Sequence, residues 1–117
     1  MFSLSKKQIE ALELDFRRRR RLRILAEIRK RFPDLVSKVS EDAALLLIND
    51  AIEDGKSLGI VEDNDVIRFA SLAFLPQQTR HHPAVASLLI RILNRDAWPA
   101  SKRLDFIYKN IMPKLRR

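Results

Sequence analysis

Apolar residues recur every three or four positions along most of the chain, the spacing that places them on one side of an α-helix. The first such segment predicts a long helix over residues 6–31. Ser5 and Gln8 have the spacing of a capping box, in which each side chain accepts a hydrogen bond from the other residue's backbone N–H. Pro33 disfavours helical geometry at Phe32, so we expect the helix to end there.

Two apolar stripes lie on this first helix. Leu4 is expected to pack against Ile9 as a hydrophobic staple, and Ile9 begins the first stripe with Leu12 and Phe16. The second stripe lies roughly a third of a turn away around the helix axis and consists of Ile24, Leu25, Ile28 and Phe32. The helix is therefore expected either to contact different neighbours at its two ends or to bend between the stripes.

Four further helices are predicted from start and stop signals, at about residues 41–58, 62–75, 83–94 and 99–111. Ser40 has the character of an N-cap, and Pro83 and Pro99 suit the first positions of the last two helices. Gly59 followed by Ile60 predicts a left-handed C-cap with an apolar anchor. We expect residues 76–82 to form a polar loop and residues 113–117 to fray.

The inward faces of these four helices are expected to form the core. Their apolar positions are Ala44, Leu45, Leu47, Ile48, Ala51 and Ile52; Val66, Phe69, Ala70, Ala73 and Phe74; Val85, Leu88, Leu89, Ile92 and Leu93; and Leu104, Ile107, Tyr108 and Ile111. The outward face of the last helix is expected to carry Lys102, Arg103, Asp105 and Lys109. We therefore predict an all-α fold, a compact bundle of about five helices in a single domain over residues 1–117.

The net charge of +8 is unevenly distributed. Residues 1–31 carry eleven Lys or Arg against four Asp or Glu, a net charge of +7. Residues 32–75 carry three against nine, a net charge of −6, and residues 76–117 carry nine against two, a net charge of +7. A protein that only coats a polyanion does not usually have an acidic middle third, so the basic ends either pack beside this centre or form a separate face.

The run of Arg17, Arg18, Arg19, Arg20 and Arg21, followed by Arg23, is the candidate site for binding a partner. Five consecutive residues occupy every side of a helix, so these arginines cannot all address one phosphate backbone. Three interpretations remain open: a solvated or intramolecularly paired face, a surface for a protein partner, and contact with nucleic acid or membrane lipid.

Residues with catalytic or metal-binding potential do not form a recognised arrangement. The adjacent His81 and His82 have no third His or Cys to complete a metal site, so we expect them to be structural or solvent-exposed. Asp50, Glu53 and Asp54 crowd one side of a helix, where a solvated face or a docking strip for a basic partner is favoured over acid–base catalysis. The sequence therefore predicts no catalytic residue, metal or cofactor, and a function other than that of an enzyme.

No cysteine is present, which excludes a disulfide framework or a thiol nucleophile. The N-terminal residues lack the apolar core of a signal peptide, and no window approaches the roughly 20 apolar residues of a membrane span. A cytoplasmic location is therefore expected.

Several segments in order resemble a group of short helical proteins: residues 5–12, Arg31-Phe32-Pro33, Gly59-Ile60 leading into residues 65–69, and residues 102–108. Members of that group are encoded beside the spike, PAAR-tip and effector genes of bacterial type VI secretion systems. The resemblance implies an accessory role in effector delivery, and it supplies no catalytic or ligand residues. The chain departs from the group at the arginine run and at Val61, where Ser or Thr is usual.

The sequence leaves three functions as hypotheses. The first is a binding module that acts as an adaptor or chaperone for a secretion effector or tip protein. The second is a cytoplasmic immunity protein that neutralises a toxin. The third, from a different class, is a small basic regulator that binds nucleic acid.

Overall fold

Eight helical segments follow one another in the computed structural model, which describes residues 5–115. Five are long: α1 (Lys6–Arg31), α3 (Glu41–Ser57), α4 (Asp63–Leu72), α6 (Pro83–Leu93) and α7 (Ala100–Asn110). Three are single turns: α2 (Pro33–Val36), α5 (Gln77–Arg80) and α8 (Met112–Leu115). No strand occurs within these residues, and the predicted all-α bundle with about five main helices is confirmed.

The start of α1 has the predicted capping box. The Ser5 hydroxyl accepts a hydrogen bond from the Gln8 backbone N–H at 3.2 Å, and the Gln8 side-chain oxygen accepts one from the Ser5 N–H at 2.8 Å. Leu4, the predicted staple residue, lies outside the described residues, as do residues 116 and 117 of the tail. At the other end Phe32 closes α1, and Pro33 opens α2.

The main core lies where the second half of α1 meets α3, α4 and α7. Ile24, Leu25 and Ile28 are fully buried there. They share one cluster with Val36, Ala44, Ile48, Ala51, Ile52, Ile60, Val66, Ile67, Ala70, Phe74 and Leu104. A smaller cluster joins the segment after α4 to α6, α7 and α8 through Leu72, Leu75, Ile92, Ile107, Ile111 and Met112.

The connection from α3 to α4 follows the predicted C-cap. Gly59 has a φ of +75°, a left-handed conformation that glycine adopts without steric cost. Ile60 is completely buried, and its N–H donates to the Gly55 carbonyl at 2.8 Å. This tight reversal brings the N-terminus of α4 back against α1 and α3.

Arg103 of α7 is buried, so the prediction that it lies on the outward face of this helix is wrong. The sequence places it on the outward face with Lys102, but the residue is only 4% exposed. Its guanidinium donates to the Leu93 carbonyl at 2.5 Å and to the Trp98 carbonyl at 3.1 Å. Because the last carbonyls of a helix have no partner within it, a buried arginine is stable where it caps the end of α6.

The apolar stripe of α6 is less buried than its sequence predicts. Ile92 is buried, Val85, Leu89 and Leu93 are half-buried, and Leu88 is exposed. Phe69 of α4, also expected in the core, is half-buried. The reason is that α6 packs on α7 along one flank, while within residues 5–115 its other flank borders an open groove.

The expected loop at residues 76–82 also differs from the prediction, because it contains the helical turn α5.

The first half of α1 projects from the body of the protein, whose overall dimensions are 57 × 35 × 22 Å. Residues 5–19 are all exposed, including Ile9, Leu12 and Phe16. α1 is a continuous helical element, but its first stripe has no covering neighbour within the described part of the chain. We call residues 6–19 the N-terminal arm.

An ion-pair cluster joins α4 to α7. The Arg68 guanidinium donates to Asp65 at 3.0 Å, to Asp105 and to the Ser101 carbonyl at 3.3 Å. The Tyr108 hydroxyl donates to the Arg68 carbonyl at 2.6 Å. These bonds fix the relative register of the two helices along the edge of the core.

Acid is expected to weaken this connection. The hydrogen bond from Arg68 lowers the pKa of Asp105 below its ordinary value. A lowered pKa in the folded state means that the carboxylate stabilises the protein above the ordinary aspartate pKa, and that this stabilisation is lost as the pH falls through the lowered value. Asp105→Asn should therefore have a shallower loss of melting temperature between about pH 5 and pH 2 than the unchanged protein. Equal slopes in the two proteins would show that Asp105 does not contribute.

A candidate protein-binding groove

A concave surface with a volume of about 420 Å³ lies between α3, α4, α5 and α6. Apolar side chains form most of its wall. The lining residues are Leu47, Asp50, Ala51, Asp54, Phe69, Leu72, Ala73, Arg80, Ala86, Leu89, Ile90 and Leu93. We call this surface the α3–α6 groove.

The helical period explains how the sequence builds this groove. Leu47, Asp50, Ala51 and Asp54 recur at three- and four-residue spacings, so α3 presents them along one side. Small side chains at Ala51, Ala73 and Ala86 leave open space between the helices. The groove is therefore an apolar trough whose α3 wall carries two carboxylates.

Charged groups at the groove lack partners within residues 5–115. Asp50 and Asp54 are exposed, and neither carboxylate forms an ion pair with another described residue. Arg80 is partly buried in α5, and its Nε atom is buried without a hydrogen-bond partner in this part of the chain. A partner that supplies opposite charges beside these three side chains would form ion pairs that they do not form within residues 5–115.

The arginine run divides between the body and the arm. Arg20 donates to Asp63 at 3.3 Å and to the Val61 carbonyl at 3.5 Å, and Arg23 reaches the same Asp63 at 3.4 Å. Arg21 donates to Asn49 at 3.4 Å. Three of the six candidate arginines therefore tie α1 to the acidic middle third.

Arg17, Arg18 and Arg19 are exposed on the arm. Arg19 pairs with Asp15 at 2.9 Å, one helical turn away on the same surface. Because exposed pairs of this type contribute little stability, they exchange readily for contacts with a partner. These three arginines point to different sides of the helix, and both they and the apolar stripe of the arm are accessible to a partner.

The other sequence candidates are dispersed. His82 caps α6, where its Nδ1 accepts a hydrogen bond from the Ala84 N–H at 3.3 Å, and His81 is exposed beside it. Glu53 pairs with Lys56 at 3.1 Å, away from the groove. Within the described residues, no group of three His, Cys, Asp or Glu could hold a metal ion.

Among the charged residues of the groove, Arg80 is the one that the sequence did not single out. It was expected only as part of a polar loop before the two histidines. No local signal distinguishes it, because its position depends on α5 forming a turn and on that turn packing beside α3 and α4.

Among residues 5–115, no helix is both long enough and apolar enough to cross a membrane. Comparison with protein-family models, curated proteins and solved structures finds no match to this chain.

Proposed function

We propose that this protein is a non-enzymatic binding module that acts in the cytoplasm as an adaptor or chaperone for a type VI secretion effector or tip protein. The α3–α6 groove is the observation that carries the proposal, because it exposes apolar surface beside charges without partners. A concave, mostly apolar surface with a few charged groups at its edge is typical of binding sites. The link to secretion rests on the sequence resemblance.

The groove suits an amphipathic helix from the partner. An apolar stripe at helical spacing would lie along Leu47, Ala51, Leu89 and Ile90, as in other complexes that hold a helix in a groove. A basic residue beside that stripe would meet Asp50 and Asp54. An acidic residue or a free carbonyl would satisfy Arg80.

The chemical character of the groove favours binding over catalysis. Its lining residues include no Ser, Thr, Cys, His or Lys, and the carboxylates of Asp50 and Asp54 form no ion pair with a described residue that would activate them as a nucleophile or base. The charged groups that are present, Asp50, Asp54 and Arg80, suit recognition of an oppositely charged surface. Apolar contacts supply the affinity, and the charges select the orientation.

Co-expression with effector and tip proteins whose genes lie beside the gene for this chain tests this proposal. The partner's soluble yield and its secretion should rise when this protein is present. Ile90→Arg places a like charge against the basic flank of the bound helix, and Ile90 is 60% exposed, so the fold should tolerate the change. We expect this variant to weaken binding at least about 10-fold, as loss of a central contact does.

Leu88→Arg is the matched control, because Leu88 is also exposed on α6 but does not line the groove. It should leave binding unchanged. Protection of cells from a toxin without an effect on secretion would instead support the immunity function. A salt-dependent shift with duplex or single-stranded nucleic acid, and no gain for any neighbouring protein, would support the regulator and contradict the adaptor.

A further inference from the structure

Two of the apolar surfaces that residues 5–115 leave uncovered have features that match each other. One is the α3–α6 groove. The other is the stripe of the N-terminal arm, where Phe16 is 65% exposed and Ile9 and Leu12 are nearly half exposed. The groove suits an amphipathic helix, and the arm is a helix whose apolar stripe has no neighbour among the described residues.

The arm has suitable dimensions for this role. The anchors from Ile9 to Phe16 extend about 10.5 Å at 1.5 Å per residue, about the length of residues 47–54 of α3 and 86–93 of α6, which line the groove. Ile9, Leu12 and Phe16 recur at spacings of three and four, so they project along one side. This is the anchor pattern with which helices enter apolar grooves.

The charges of the two surfaces are complementary. At 100° per residue, Arg19 lies on one flank of the arm's stripe, where it forms an exposed pair with Asp15, and Glu13 lies on the other flank. The groove has carboxylates at Asp50 and Asp54 and a cation at Arg80. One orientation of the arm therefore brings Arg19 to the two carboxylates and Glu13 to the arginine.

The arm does not reach the groove of its own chain. α1 is one continuous helical element, and its root contacts the side of α3 that carries Asn49. The groove is formed by the side of α3 that carries Leu47 and Ala51. The arm therefore points into solvent, and a groove that it fills must belong to another molecule.

We propose that the N-terminal arm of a second copy of this chain occupies the α3–α6 groove when the partner protein is absent. This inference rests on the proposed use of the groove as a helix-binding site. Exchange of both arms closes the assembly as a dimer with two copies of the same contact. The partner's helix competes with the arm, so partner binding converts the dimer into a one-to-one complex.

This arrangement gives the protein a way to protect its groove. In the dimer the apolar lining is shielded from non-specific association until the partner arrives. Because the contact consists of a few apolar anchors and exposed charges, it is weak enough to be exchanged. Salt should weaken it further by screening the charges on Arg19, Asp50 and Asp54.

Sedimentation equilibrium of the purified chain tests the inference, over protein concentrations from about 1 μM to about 1 mM, the range of weak association. The mass should rise from that of a monomer to that of a dimer. The double substitution Leu12→Glu and Phe16→Glu removes the arm's anchors, and Ile90→Arg blocks the groove; each variant should remain monomeric. Leu88→Arg should dimerise like the unchanged chain.

Mixing the two monomeric variants provides the decisive measurement. The groove variant retains an intact arm and the arm variant retains an intact groove, so the mixture should form a heterodimer through one contact. If the dimer instead forms by pairing of two arms, the mixture will contain no heterodimer, because the arm variant lacks its anchors. That result would overturn the proposal. A monomer at every concentration would overturn it as well.

The proposed function has a separate test. A labelled peptide of residues 5–19 should bind the arm variant and lose that binding on Ile90→Arg, measured by fluorescence anisotropy. If a secretion partner binds the groove but the peptide does not, the adaptor function stands and the self-association is wrong. If the peptide binds and no neighbouring protein does, the self-association stands and the adaptor function is wrong.

Discussion

Replacing Arg103 with methionine is expected to lower the free energy of unfolding by about 2 to 4 kcal/mol, although the substitution retains most of the side-chain length. The wild-type guanidinium donates to the carbonyls of Leu93 and Trp98, which lie at the end of α6 and in the connection to α7. Methionine cannot donate, so both carbonyls lose this partner at a site where the residue is 4% exposed. Urea denaturation measures the loss.

Lys109→Met is the matched control for this prediction. It removes a positive charge from the same helix at an exposed position, so its effect should be within about 0.5 kcal/mol. Arg103→Lys should fall between the two, because an ammonium group keeps the charge but lacks the planar guanidinium that reaches two carbonyls. Equal stability of the Arg103 and Lys109 variants would show that the buried bonds contribute nothing net.

Arg103 also shows what a helical pattern cannot reveal. Its position around α7 lies beside Lys102, and a charged residue there predicts an exposed side chain. Arg103 is buried because α6 ends beside it and leaves backbone carbonyls that need hydrogen-bond donors. That arrangement is set by packing between helices and has no signal within α7.

Local signals were more successful at the helix ends. Three boundary signals were predicted correctly: the capping box at Ser5 and Gln8, Pro33 after α1, and the left-handed Gly59. Each signal involves residues within a single helical turn, so it can be read from residues that are close in sequence. The apolar faces of α3, α4 and α7 were also predictable, because each of these helices packs against two or more others.

The candidate site was predicted only in part. The sequence groups Asp50, Glu53 and Asp54 as a solvated face or a docking strip for a basic partner, but it does not predict the groove beside Asp50 and Asp54. The groove exists because α6 leaves one flank of its stripe uncovered, and the sequence of α6 predicts an apolar face without specifying how much of it neighbours cover. Whether the arginine run binds a partner stays a prediction, with Arg17, Arg18 and Arg19 accessible for it.

Ile28→Ala is expected to cost about 2 to 5 kcal/mol of unfolding free energy, the range for truncating a fully buried isoleucine. Ile28 is 0% exposed and lies in the main core between α1, α3 and α4. Ile9→Ala is the control on the same helix, where the residue is 44% exposed on the projecting arm. Both substitutions make the same change of side chain and of helix propensity, so the difference between them isolates the effect of burial.

The measurement should be made on dilute protein, because at high concentration the Ile9 variant would also lose the stabilisation that comes from binding a second copy. Under these conditions we expect Ile9→Ala to change the stability by less than about 0.5 kcal/mol, the usual range for surface positions. A loss as large as that of Ile28→Ala would mean that the first half of α1 packs against the body of its own chain. In that case the arm would not be available to any groove, and the proposed exchange between copies would be wrong.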